Sequence, residues 1–245
     1  MDLIVFAGPS LGGVAREDWP QLDFRPPAAC GDIALAIARA PRAIGLIDGC
    51  FETCASPWHK EILWGLSKGI DMVGGASLGA LRAAELADFG MRGVGRIFEA
   101  YRTGLIEDDA EVAVLHGPAE IGYPCLTEAL VNVRAALKRA LDCGIIARGE
   151  ETPLLEASSA IFYKDRTWAH IRERALTLGA DAARLAKFSD WLIAHPVDAK
   201  REDALELLSA MTSAPSGSRA AGRELVFVDT IYFADLRQRL RLDST

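Results

Sequence analysis

Hydrophobic positions in the first ninety residues cluster in short runs separated by stretches with helical character. "LIVFAG" (3–8), "AIGLID" (43–48) and "IDMVGGA" (70–76) read as strands. Between them, "DIALAIARA" (32–40) has a helical pattern that stops at Pro41. "SPWHKEILWGLSKG" (56–69) reads as a helix with Ser56 as N-cap, Pro57 at the first helical position and Gly69 at the end. "LGALRAAELADFG" (78–90) is a third helix, closing on Gly90. Strand and helix alternating through short links predict parallel strands joined by right-handed crossovers.

Past Gly90 the pattern changes. Residues 93–104 and 124–143 look helical, and "CGIIARGEETPLLEAS" (143–158) reads as a polar, turn-rich boundary. Helical patterns over 164–213 break at Gly179 and near Pro196, and "SAPSGSRAAG" (213–222) has the composition of a linker. "ELVFVDTIYFADLRQRLRL" (224–242) begins strand-like and ends helix-like. The fold class expected is therefore α/β: a parallel-sheet, Rossmann-like core over residues 1–145, followed by a mostly helical region over 146–245.

A chain of 245 residues suffices for one large domain or two modest ones. The formal net charge of −7 argues against general affinity for nucleic acid or anionic membrane. No apolar run approaches the roughly 20 residues of a membrane-spanning helix. The opening "MDLIVFAGPS" lacks a basic n-region and a long h-region, so it does not read as a signal peptide. Five cysteines, at 30, 50, 54, 125 and 143, then read as reduced thiols of a cytoplasmic protein.

Candidate chemistry centres on "DMVGGASLGALRAAE" (71–85), where Gly75-Ala76-Ser77-Leu78-Gly79 fits the G-x-S-x-G nucleophile elbow. In parallel α/β units, helices start at the carboxyl edge of the sheet, where ligands and catalytic groups collect. That placement brings Ser77, Lys60, Asp48 and the loop Gly8-Pro9-Ser10 to one edge. A serine needs a base, and a lysine near a helix N-terminus can become one. The backbone N–H groups from Leu78 onward are the oxyanion donors. The small residues of "AGPSLGG" and "GGASLG", Gly8 and Gly79 among them, lie on two adjacent loops at that edge and leave room for a narrow groove. His59 and Arg82 are possible supports, with Arg92 and Arg96 as further cations near the serine.

Other readings of the same residues stay open. On the motif alone, a serine at a strand–helix junction such as Ser77 is usually an N-cap. Asp108, Asp109 and His116 follow Ser77 in the order of a hydrolase triad. Cys50 and Cys54, a lone C-x3-C, are weak evidence for a metal or redox site and read as small buried residues. Trp58, Trp64, Phe98 and Tyr101 read as core or interface residues.

The segments "DGCFETCASPWHKEILWGLSKG", "GGASLGALRAAELADFGMRGVGRIFEAYRTG" and "IEDDAEVAVLHGP" resemble the core of the TfuA family, as do "VFAGPS" and "LTEALVNVR". The resemblance covers about residues 3–140 and is most specific over 48–117. It implies a protein that works beside a YcaO-type, ATP-dependent thioamide synthetase. It implies hydrolysis of the C-terminal thiocarboxylate of a ubiquitin-like, ThiS-like sulfur carrier, releasing sulfide for that partner and helping it engage its peptide. The implied site is a Ser-Lys pair, at Ser77 and Lys60 here, with no cofactor or metal. Leu78 stands where family members commonly have methionine, a mild change.

Overall fold

A computed structural model describes residues 2–52, 54–213 and 225–242. Five parallel strands form one sheet: β1 (Leu3–Phe6), β2 (Leu22–Arg25), β3 (Ala43–Leu46), β4 (Asp71–Gly75) and β5 (Arg92–Val94), in the order β2-β1-β3-β4-β5. Leu3 stands opposite both Leu22 and Ala43, Ala43 opposite Asp71, and Val73 opposite Arg92. The strands expected near 3–8, 43–48 and 70–76 form its centre. The expected α/β class is the observed one.

The edge strands β2, "LDFR", and β5, "RGV", were not visible as strands in the hydrophobic pattern. Both are short and carry charged residues, as edge strands commonly do.

Side chains alternate across β1. Ile4 and Phe6 pack with one cluster, Leu3 and Val5 with the other. The first face is covered by the helices that link the strands: α1 (Asp32–Ile37), α2 (His59–Ser67) and α3 (Leu78–Leu86). Right-handed crossovers that all move the same way along a sheet put their helices on the same side. The β1-to-β2 link runs the other way and holds only short 3-10 turns, Pro9–Leu11 and Arg16–Asp18, so it supplies no long helix for the opposite face. A helix from far along the chain covers it, through Ala204, Leu207, Leu208 and Met211.

The chain divides into two compact units. The first comprises Met1–Glu107 with Arg201–Thr245, the second Asp108–Lys200. This differs from the division expected near residue 145, because the last helices belong with the sheet. The first unit also contains α4 (Arg96–Arg102). The second contains α5 (Leu130–Asp142), α6 (Arg148–Ser159), α7 (Trp168–Thr177) and α8 (Ala182–Ala194). The chain returns through α9 (Ala199–Ser213) and ends its described part with α10 (Ile231–Arg239).

In the second unit, Val133, Leu137, Leu154, Ile171, Leu185 and Phe188 form the core. Arg166 is buried there and donates to the carbonyls of Ser158 and Ile161, at 3.1 and 3.2 Å. Burial pushes its guanidinium below the usual value. The segment expected as a turn-rich boundary is helical from Arg148. The Glu150 carboxylate accepts the Ala147 N–H at 2.7 Å and so caps α6, while Leu154 and Ala157 face the core. Gly149 and Pro153 obscured this helix in the sequence. The helical pattern over 164–213, with breaks near 179 and 196, matches α7 to α9. Of the segment 224–242, the helix-like end is α10, and residues 225–230 form no regular element. The expected linker at 213–222 lies, but for Ser213, outside the described residues. Among the described residues no helix is long and apolar enough to cross a membrane.

Asp203, in α9, is 3 % exposed, and its carboxylate accepts the Arg96 and Ile97 N–H groups at 3.1 and 2.8 Å. It caps α4 in place of a local cap. Burial outweighs these two bonds and pushes the carboxyl up to about 6. A raised folded-state value favours the protonated form, so this contribution to stability is complete below about pH 3.8 and is lost as pH rises through about 6. At about 1.36 kcal/mol per pH unit the loss is at most about 3 kcal/mol. Asp203→Asn carries no such term. The unfolding free energy of wild type relative to this variant should fall by up to that amount between pH 4 and 7.5, read from urea midpoints. A constant difference would contradict the assignment.

Candidate functional site

The carboxyl ends of β1, β3 and β4 lie on one edge of the sheet, as expected. The chain leaves β1 and β3 in opposite directions along the sheet, and a crevice at such a point commonly takes the ligand. Here it is filled by the protein itself. Asp48, 1 % exposed, accepts the N–H groups of Gly8 and Ser10 on Oδ2, at 2.8 and 3.0 Å, and the Ser10 hydroxyl on Oδ1, at 2.7 Å. Gly8, Pro9 and Ser10 are buried. Their loop is fastened to Asp48, and the N–H groups of Gly8 and Ser10 are already engaged.

Ser77 lies one strand further along, directly after β4. The turn is tight: Ser77 N–H donates to the Gly75 carbonyl at 2.7 Å, and Ala76 between them has φ +64°. For a residue other than glycine that conformation costs about 1–2 kcal/mol, and such turns are rare and strained. Both glycines of G-x-S-x-G serve close approach. A Cβ on Gly75 would stand 2.7 Å from the Val94 carbonyl oxygen, and one on Gly79 would collide with the Leu46 carbonyl. The positive φ falls on Ala76 instead. Ser77 is 7 % exposed and occupies the N-cap position of α3, yet its side chain makes no capping hydrogen bond. The capping role that its position suggests is thus unfilled.

Of the expected oxyanion donors, Gly79 N–H is taken by the Ile47 carbonyl at 3.1 Å. Leu78 N–H, the first of α3, donates to no group among the described residues.

Lys60 is the second residue of α2, in the first turn as expected. Its Nζ donates to the Val228 carbonyl at 2.7 Å and lies 5.2 Å from the centre of the Phe227 ring. No hydrogen bond joins Lys60 to Ser77 in this conformation. His59 Nε2 meets Glu85 Oε2 at 2.7 Å, and Arg82 donates to the same oxygen at 2.7 Å. Burial alone would push the Glu85 carboxyl up, but the His59 and Arg82 hydrogen bonds and the charge of Arg82 hold it below the usual range. The His59–Glu85 contact therefore ties α2 to α3, while Arg82 holds the Glu85 carboxylate from within α3. Arg92 pairs with Asp71 at 2.9 Å.

Glu61 was not singled out in the sequence. It is 0 % exposed, and its carboxylate accepts N–H groups from Trp58 at 2.9 Å, Gly31 at 3.0 Å and Ala34 at 3.1 Å. Burial pushes its carboxyl up against the pull of these three bonds. It caps α1 and α2 together. The N-cap position of α2 falls on Trp58, not Ser56, whose hydroxyl donates to the Cys50 carbonyl at 2.6 Å. A glutamate three residues after an N-cap is the available signal, and Ser56-Pro57 drew attention two residues too early.

Residues proposed for a serine-histidine-aspartate triad have local roles in the second unit. The His116 ring meets the Gly117 carbonyl at 2.7 Å and the Tyr123 ring edge-on, and Asp108 accepts the Ala110 N–H. Cys50 and Cys54 are joined as a disulfide, unlike the expected pair of buried thiols, and Cys54 is exposed. Cys30, Cys125 and Cys143 form no disulfide among the described residues. Trp64 and Tyr101 are buried, as expected of core aromatics.

Residues 48–167 match the family model described as TfuA-like protein. That span contains Asp48, Lys60 and Ser77. No curated protein matches the chain.

Proposed function

We propose that this chain, which belongs to the TfuA-like family, hydrolyses the C-terminal thiocarboxylate of a ThiS-like sulfur-carrier protein. On this reading it supplies sulfide to a YcaO-type thioamide synthetase in the cytoplasm. The observation that carries the reading is Ser77 itself: it stands on a strained turn at the start of α3, with a hydroxyl that caps nothing.

The chemistry follows from the groups present. Ser77 Oγ attacks the thiocarboxylate carbon, and its proton passes to the Lys60 amine. Leu78 N–H, at the positive end of α3, stabilises the oxygen that gains charge. The C–S bond breaks, hydrosulfide leaves, and Lys60 returns the proton. Water then cleaves the serine ester to give the carboxylate and free Ser77. The net reaction consumes thioacid and water and yields carboxylic acid and hydrogen sulfide, with no redox change. Lys60 has to leave the Val228 carbonyl for this to occur.

That contact also favours a second reading, a scaffold that binds the synthetase and its peptide without catalysis. Intact-mass spectrometry of a thiocarboxylated carrier incubated with the purified chain separates the two. Conversion to the carboxylate, with sulfide detected in solution, is expected of the hydrolase. An unchanged carrier, alongside faster thioamidation by the synthetase, would leave the scaffold.

A further inference from the structure

The described C-terminal segment has two parts with unequal hold. α10 is anchored: Phe233 is 0 % exposed and packs edge-on against Trp64 at 5.7 Å and Phe227 at 5.5 Å. The stretch before it, Leu225–Thr230, forms no regular element and is held lightly. Val226 and Val228 are exposed, and Phe227 is only partly buried. The stretch touches the candidate site through the Lys60 Nζ bond to the Val228 carbonyl and the Phe227 ring beside that ammonium. An ion pair at 2.6 Å between Asp229 and Arg237 ties the stretch back to α10.

We propose that Leu225–Thr230 is an internal pseudosubstrate: a main-chain segment whose Val228 carbonyl occupies Lys60 until an incoming acyl tail displaces it. This rests on the reading of Lys60 as the base for Ser77. The ligand class follows from the contact. Lys60 is bound by a backbone carbonyl and a flat apolar ring, which place no demand on side-chain identity at the carbonyl. An extended peptide tail offers the same carbonyl. Because the segment is anchored at Phe233 and exposed before it, it can lift while α10 stays seated, as weakly packed segments open at low cost.

The test uses two full-length variants that loosen the stretch, Phe227→Ala and Asp229→Ala. The second removes the Arg237 ion pair and the bond that Asp229 Oδ1 accepts from Thr230 N–H, leaves the Phe233 anchor in place, and guards against misfolding in the first. One readout is the rate at which Lys60 is labelled by an amine-selective acylating reagent, followed by peptide mass spectrometry. It should rise about tenfold, the size of losing one hydrogen bond to a charged group. The other readout is carrier hydrolysis, which should rise in parallel. Unchanged labelling in folded variants overturns the proposal, as does faster labelling with no change in a measurable hydrolysis rate. Faster labelling with no hydrolysis by any form retains the shielding of Lys60 and removes the hydrolase reading instead.

Discussion

Ser77→Ala is expected to lower carrier hydrolysis by about 10³-fold or more, with the fold unchanged, since loss of a nucleophile in comparable hydrolases costs at least that much. The side chain caps nothing, so its removal should leave the melting temperature near that of wild type. This separates it from a capping serine, whose loss costs about 1 kcal/mol. Lys60→Ala should reduce hydrolysis to a similar level. The double variant should be little slower than either single one, because a nucleophile and its base act as one unit. Rates measured on the thiocarboxylated carrier decide the matter. Full activity in a folded Ser77→Ala protein would refute the serine mechanism, and multiplicative losses would argue that the two residues act independently.

The largest effect on stability is expected at Glu61. Replacing it with alanine strands three N–H groups, those of Gly31 and Ala34 in a buried site and that of Trp58 in a partly buried one. At about 1–3 kcal/mol for each unsatisfied buried donor, the loss should be about 4 kcal/mol. Glu61→Gln keeps one accepting oxygen, which can serve the Gly31 and Ala34 pair while its amide faces Trp58 N–H. About half the loss is expected. Urea unfolding at neutral pH gives both values. A cost below about 1 kcal/mol for alanine would mean that the helix ends find other partners or water.

The centre of the sheet was legible because its strands are buried on both faces and so read as continuous apolar runs. The edge strands were not, because an edge strand of three or four residues with arginine and aspartate leaves no such trace. Ser77 and Lys60 could be placed from the order of elements alone, since each follows a strand or opens a helix. What local reading could not supply was the partner of each polar group. Asp48, Glu61 and Asp203 each accept N–H groups from segments at least 27 positions away in sequence. Nothing in a local window announces that a carboxylate will fasten a distant loop or helix end. The contact between Lys60 and Val228, 168 positions apart, was hidden for the same reason.

The cover that α9 gives the sheet also bears on how the protein is made. A ribosome finishes β5 roughly a hundred residues before it adds Leu207 and Met211. At about 5–20 residues per second, that is a wait of roughly 5–20 s. Throughout it, the face carrying Leu3, Val5, Ile47 and Val73 lacks its main covering helix, while the second unit is synthesised and free to fold. Until α9 is made, that face of the sheet has no long helix of its own to cover it. A fragment ending near residue 145 would keep that face open for good.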